Sequence, residues 1–166
     1  MGMVIAVDYA KYTIIEGYFQ CCSDILSMFS IPCCTTISFR RLGKGSDPLL
    51  VMEQYFADHC NVNINFHLIG LKEWKETFMD RLDYWIYPIF DNKQYDDAVN
   101  NYKVKFIIES IISLLEQFFQ DKIIEAFTLF KEDEEKLKEA FNLQKNELYI
   151  FKSGREIFLL QFTMSK

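Results

Sequence analysis

Two apolar runs, Leu148-Tyr149-Ile150-Phe151 and Ile157-Phe158-Leu159-Leu160-Gln161-Phe162, flank the connection Lys152-Ser153-Gly154-Arg155. β-type runs joined by a glycine-containing link of this length read as a β-hairpin. A sheet is therefore part of the fold, and every earlier segment has to pair with it or cover it.

Helical spacing governs much of what precedes. Ile14, Ile15, Tyr18, Phe19, Cys22, Ile25, Leu26 and Phe29 predict an amphipathic helix over 12–29 that Pro32 closes, and residues 3–7 read as a short strand. The segment 35–42 alternates as a strand and ends in the turn Gly43-Lys44-Gly45-Ser46. Asp47-Pro48 then opens a helix, with Asp as the cap and Pro at the first helical position; that helix carries Leu50, Val51, Met52, Tyr55 and Phe56. The cleanest period-two segment is Val62-Asn63-Ile64-Asn65-Phe66-His67-Leu68, which predicts a strand with one wet face. Leu71, Trp74, Phe78, Leu82 and Trp85 form an apolar helical stripe over 71–87, with Pro88 marking its end. Residues 95–141 read as almost unbroken helix, too long for one, and so as two or three helices with tight breaks, the most buried between Phe106 and Phe130.

The expectation is a single α+β domain over 1–166, with several amphipathic helices packed on a small, mainly antiparallel sheet that ends in a C-terminal β-hairpin. A chain of this length buries roughly 70% of the surface exposed when unfolded, enough for a sizeable core. Half the residues are apolar and only nine are Gly or Pro, which excludes a disordered chain.

Charge and cysteine usage narrow the function. Against 18 Lys and Arg stand 24 Asp and Glu, and no basic cluster exceeds Arg40-Arg41, so nucleic acid is not the expected partner. Residues 71–166 hold 14 of the basic and 18 of the acidic side chains. The cysteines Cys21, Cys22, Cys33, Cys34 and Cys60 are odd in number, and the N-terminus lacks a basic region and a long apolar run, so free thiols and a cytoplasmic location are expected. The most lipid-like stretch, 106–119, includes Glu109 and Glu116 and falls short of a bilayer span, so no membrane role is expected.

His59, Cys60 and His67 are the only cluster that a catalytic or metal reading could use. Their spacing supplies neither a four-ligand zinc shell nor a thiolate beside its base. Adjacent cysteines lack the C-x-x-C geometry, and Gly43-Lys44-Gly45-Ser46 lacks the spacing of a phosphate loop. No catalytic residue, metal or cofactor is assigned.

The acidic positions carry more information. Glu73, Glu76, Asp80 and Asp83 fall at i, i+3, i+7 and i+10, lining one helix face opposite Trp74 and Phe78, and Asp91, Asp96 and Asp97 follow. Like charges at this spacing repel by a few tenths of a kcal/mol per pair. Such a stripe is also what the solvated outside of a surface helix looks like. The second acidic run, Glu132-Asp133-Glu134-Glu135, is explained by Lys136 and Lys138 at i+4 and by a helix N-terminus.

In size, acidity and lack of enzyme motifs across the whole chain, the sequence resembles the immunity proteins of bacterial toxin systems. That resemblance implies a non-enzymatic module that neutralises a basic toxin by binding it. An acidic face steers a basic partner and aromatic anchors add affinity. The expected partner-binding residues are Glu76, Asp80, Asp83, Tyr84, Asp91, Tyr95 and Asp97, with Tyr87 a further candidate anchor. Two alternatives stand beside it: a small-molecule-binding protein or enzyme using Cys60 or His67, and a subunit of a larger assembly.

Overall fold

The computed structural model describes residues 2–29, 34–90, 97–120 and 124–165, with side chains described outside 2–8, 25–29, 83–84, 86–90 and 97–104. Helix α1 (Gly2–Phe29) leads into strand β1 (Cys34–Lys44), then α2 (Pro48–Cys60), β2 (Leu68–Leu71), α3 (Trp74–Phe90) and α4 (Asp97–Phe119). Strand β3 (Ile124–Leu129), α5 (Lys131–Ala140) and the hairpin β4 (Leu143–Ser153) and β5 (Glu156–Ser165) follow. The five strands form one antiparallel sheet in the order β1-β5-β4-β3-β2.

Both faces of this sheet are covered. Tyr149 and Phe151 of β4 and Phe158, Leu160 and Phe162 of β5 pack with Phe19 of α1, Phe78 of α3 and Leu115 of α4. The alternate residues Leu148, Ile150, Ile157 and Leu159 pack with Met52 and Phe56 of α2 and Leu137 of α5. Burial on both faces is why the hairpin runs are continuously apolar rather than alternating. The turn between them is two residues, Gly154-Arg155, and Gly154 takes φ +63°, the left-handed value that the first central position of a II′ hairpin turn requires. At the other tight junction, Asp47 accepts from Leu49 N–H at 2.9 Å and Pro48 begins α2.

Strand β1 ends the sheet on one side, and α1 covers its open backbone with hydroxyls. Ser23 Oγ accepts from Ile37 N–H at 2.7 Å and lies 2.8 Å from Phe19 O and 3.1 Å from Ile37 O, the carbonyls to which its hydrogen can be given. Tyr12 Oη donates to Phe39 O at 3.3 Å and accepts from Arg41 N–H at 3.2 Å. Burial, with Glu16 nearby, pushes the Tyr12 hydroxyl up to about 12, which keeps it a donor. Three outward backbone groups of an edge strand, and a fourth when Ser23 turns its hydrogen to Ile37 O, are thereby satisfied without a sixth strand.

Four sequence expectations are corrected. Residues 3–7 lie within α1 rather than in a strand. The segment 62–68 keeps its alternation, with Phe66 buried and Asn63, Asn65 and His67 exposed, yet only Leu68–Leu71 joins the sheet. Side chains take the place of the ladder there: Glu53 Oε1 accepts from Phe66 N–H at 3.0 Å and Asp133 Oδ2 from His67 N–H at 2.8 Å. Helix α3 starts at Trp74, leaving Leu71 in β2, and runs through Pro88, which withholds one i→i−4 hydrogen bond and is followed by only two more helical residues. The long helical run 95–141 is interrupted by β3: α4 stops at Phe119, Gln120 adopts φ +39°, and Ala126 and Phe127 face opposite sides of the sheet.

Candidate functional site

The stripe of α3 is the first candidate. Trp74, Phe78, Leu82 and Trp85 are buried, and the 100° step per residue then turns Glu76 and Asp80 outward, where both are exposed, as is Glu73 just ahead of the helix. The three acids crowd one another: a hydrogen bond that the Glu76 carboxyl donates to Glu73, the charge of Glu73 and that of Asp80 hold the Glu76 carboxyl above its usual range. Met79, 42% exposed, is an apolar side chain beside them. Lys75 is drawn off to the other flank, where it pairs with Glu116 of α4. Asp83 and Tyr84 continue α3 and Asp97 begins α4, but their side chains, and that of Tyr87, lie outside the described residues, as do Asp91, Tyr95 and Asp96 entirely.

On the inner flank of the same helix lies a cluster that the sequence reading did not single out. Glu147 of β4 is 6% exposed and sits opposite Phe162 on the α3 face of the sheet. Its Oε2 accepts from Trp85 Nε1–H at 2.6 Å, its Oε1 accepts from Tyr149 Oη at 2.6 Å, and Arg81 Nε lies 3.6 Å from Oε1. Lys145 stands over the Trp85 ring, 5.8 Å from its centroid. Glu134 of α5 completes the group: burial pushes its carboxyl up to about 7, the charge of Glu147 adds to this, and Arg81 opposes it. Burial and Glu147 also raise the Tyr149 hydroxyl, so it remains a donor. The only sequence signal for this cluster was a Glu just before an apolar strand, which has many ordinary explanations.

The third site surrounds Asp133, whose side chain is 1% exposed. Its Oδ2 accepts from the backbone N–H of His67 and lies 3.0 Å from His67 Nδ1, and its Oδ1 accepts from Lys136 Nζ at 2.5 Å. Burial acts to raise this carboxyl, but the hydrogen bonds of Lys136 and His67 outweigh it and hold the acid below its usual range. His67 keeps a 69% exposed ring, set edge-on to Phe130 at 6.1 Å. His59 has different partners: it stacks on Tyr55 at 4.8 Å, and its Nδ1 lies 3.3 Å from Tyr55 O. Cys60, the last residue of α2, packs half-buried on the α2 side of the sheet. The sequence neighbours His59, Cys60 and His67 thus fall into three separate environments. Burial pushes the Cys22 thiol up to about 11, away from thiolate chemistry.

Among the described residues no group of three His, Cys, Asp or Glu is placed to hold a metal ion, and no helix is long and apolar enough to cross a membrane. No protein-family model matches the chain, and no curated protein is significantly similar to it in sequence.

Proposed function

We propose that the protein is a non-enzymatic binding module whose partner is a basic protein, and that the outward face of α3 meets that partner. One observation carries this reading: Glu73, Glu76 and Asp80 are held close enough to raise the Glu76 carboxyl while the neighbouring Lys75 is spent on Glu116. A helix that keeps like charges crowded on its exposed face is relieved when a cationic surface lands on it. Met79 supplies apolar contact within the patch. Neutralisation of a basic toxin, the role of the immunity proteins that the sequence resembles, is the specific form we favour.

The test compares wild type with the triple variant E73K/E76K/D80K as bait in the native host's lysate, at low and high salt. The reading predicts one basic protein held by wild type, released by salt, lost from the variant and inhibited in its own activity by wild type. Capture of the same proteins by both baits removes the α3 face as the interface.

A second reading, an enzyme using His67, is favoured by one contact. Asp133 engages Nδ1 and leaves Nε2 toward solvent, the arrangement of an oriented general base. Diethyl pyrocarbonate distinguishes it: an activated His67 is modified faster than His59, and D133N abolishes the difference. Equal rates for the two histidines reduce the Asp133 contact to a structural one.

A further inference from the structure

The sheet has two terminal strands, and the fold treats them differently. Along β1, Ser23 and Tyr12 reach the outward groups of Ile37, the carbonyl of Phe39 and the N–H of Arg41. Along β2, Phe130 N–H donates to His67 O at 3.0 Å, which makes His67 and Phe130 a hydrogen-bonded pair. Antiparallel pairing then alternates, turning the backbone of Ile69 toward β3 and that of Leu68 and Gly70 away from the sheet. Glu53 covers the outward N–H of Phe66, but the outward groups of Leu68 and Gly70 meet no partner among the described residues.

Two side-chain facts single out the same stretch. Gly70 is exposed, lacks a left-handed φ, and a Cβ built on it would meet nothing within 4 Å, so neither conformation nor packing calls for glycine there. A glycine inside a strand often accompanies a bulge, a bend or close approach by another backbone, and β2 pairs with β3 without a register shift. Beside it Ile69 leaves 40% of an apolar side chain exposed. This edge runs through the turn at Lys72 and Glu73 into the face of Glu73, Glu76 and Asp80, where Lys75 is drawn off to Glu116 of α4 and Arg81 toward Glu147 of β4.

We propose that the edge of β2 takes an extended, Lys- and Arg-bearing segment of a partner protein as a sixth strand, its charges read by the acidic face of α3. The proposal rests on the protein-binding reading above and adds the form in which the partner is recognised: main-chain bonds at Leu68 and Gly70, apolar contact at Ile69 and charge pairing at Glu73 and Glu76.

The experiment uses the ¹⁵N-labelled full chain and a blocked synthetic peptide alternating Lys and Val, with the same peptide N-methylated at every residue as a control of equal charge. Binding is followed by anisotropy and by amide hydrogen exchange. The unmodified peptide is expected to slow exchange at Leu68 and Gly70 by about tenfold or more, corresponding to about 1.4 kcal/mol, and the methylated one to leave both unprotected. G70P removes an outward N–H without touching the β2–β3 ladder, and is expected to weaken binding while the melting temperature stays near that of wild type. Equal binding of both peptides, or binding without protection at Leu68 and Gly70, overturns strand addition while the acidic-face reading survives. Undiminished binding and protection in E73K/E76K/D80K overturns the acidic-face reading itself, and with it the charge selection proposed here.

Discussion

The indole N–H of Trp85 reaches Oε2 of Glu147 at 2.6 Å, joining the last described core side chain of α3 to a carboxylate buried on the central hairpin. Tyr149 and Arg81 approach the other oxygen, so α3 is positioned by a polar contact as well as by its apolar stripe.

Removing one donor from this buried group exposes its worth. Trp85→Phe keeps an aromatic body but leaves Glu147 a hydrogen bond short, and a loss of about 1–3 kcal/mol is expected in urea unfolding. The double variant W85F/E147L, which removes both polar partners, is expected to lose less than the sum of the single changes.

Glu134 gives stability a pH dependence of unusual sign for a carboxylate. Its folded pKa of about 7 stands above the unfolded value, so the folded state holds the proton more tightly and stability falls as pH rises from about 4.3 to about 7. Glu134→Gln is expected to raise the melting temperature at pH 8 and to have almost no effect at pH 4, as followed by circular dichroism.

Asp133 behaves in the opposite sense. Its folded pKa is depressed, so its contribution is fully present above the unfolded value of about 3.9 and is lost as pH falls through the folded one. Asp133→Ala strips partners from the His67 N–H and ring and from Lys136, and is expected to cost about 1–3 kcal/mol at pH 7, with the gap to wild type narrowing below pH 4.

Ser23→Ala leaves both outward groups of Ile37 without a partner, for an expected loss of about 1–3 kcal/mol by chemical denaturation. Tyr12→Phe does the same to Phe39 O and Arg41 N–H over a more exposed stretch, so a smaller loss is expected. Faster amide exchange at Ile37 and Arg41, respectively, is the local signature.

Where one physical cause governed a segment, its residues declared it. Gly154 between two apolar runs and Asp47-Pro48 ahead of a helix announced the hairpin and the start of α2, because turn and cap chemistry is local. Residues 124–129 did not, since Phe127 and Phe130 also fit the helical spacing of the preceding run and only pairing with β4 and β2 selects the strand. The segment 62–67 shows the reverse: its alternation is real, but Glu53 and Asp133, distant in sequence, bond its backbone in place of a neighbouring strand. The crowding of Glu73, Glu76 and Asp80 was legible because a helix face is set by spacing alone. The Glu147 cluster was not, because α3, β4 and α5 come together there only in the folded chain.

The strand order has a kinetic consequence. β5 lies between β1 and β4 yet is the last strand in chain order, so β1, made early, has no neighbour until β5 arrives to join Cys34 with Ser165. Closing so distant a contact makes assembly of the whole sheet slow compared with formation of its hairpin. A nascent chain on the ribosome therefore carries β1 as an unpaired strand until β5 has been made, and the hydroxyls of α1 are the first groups available to shield it from its neighbours.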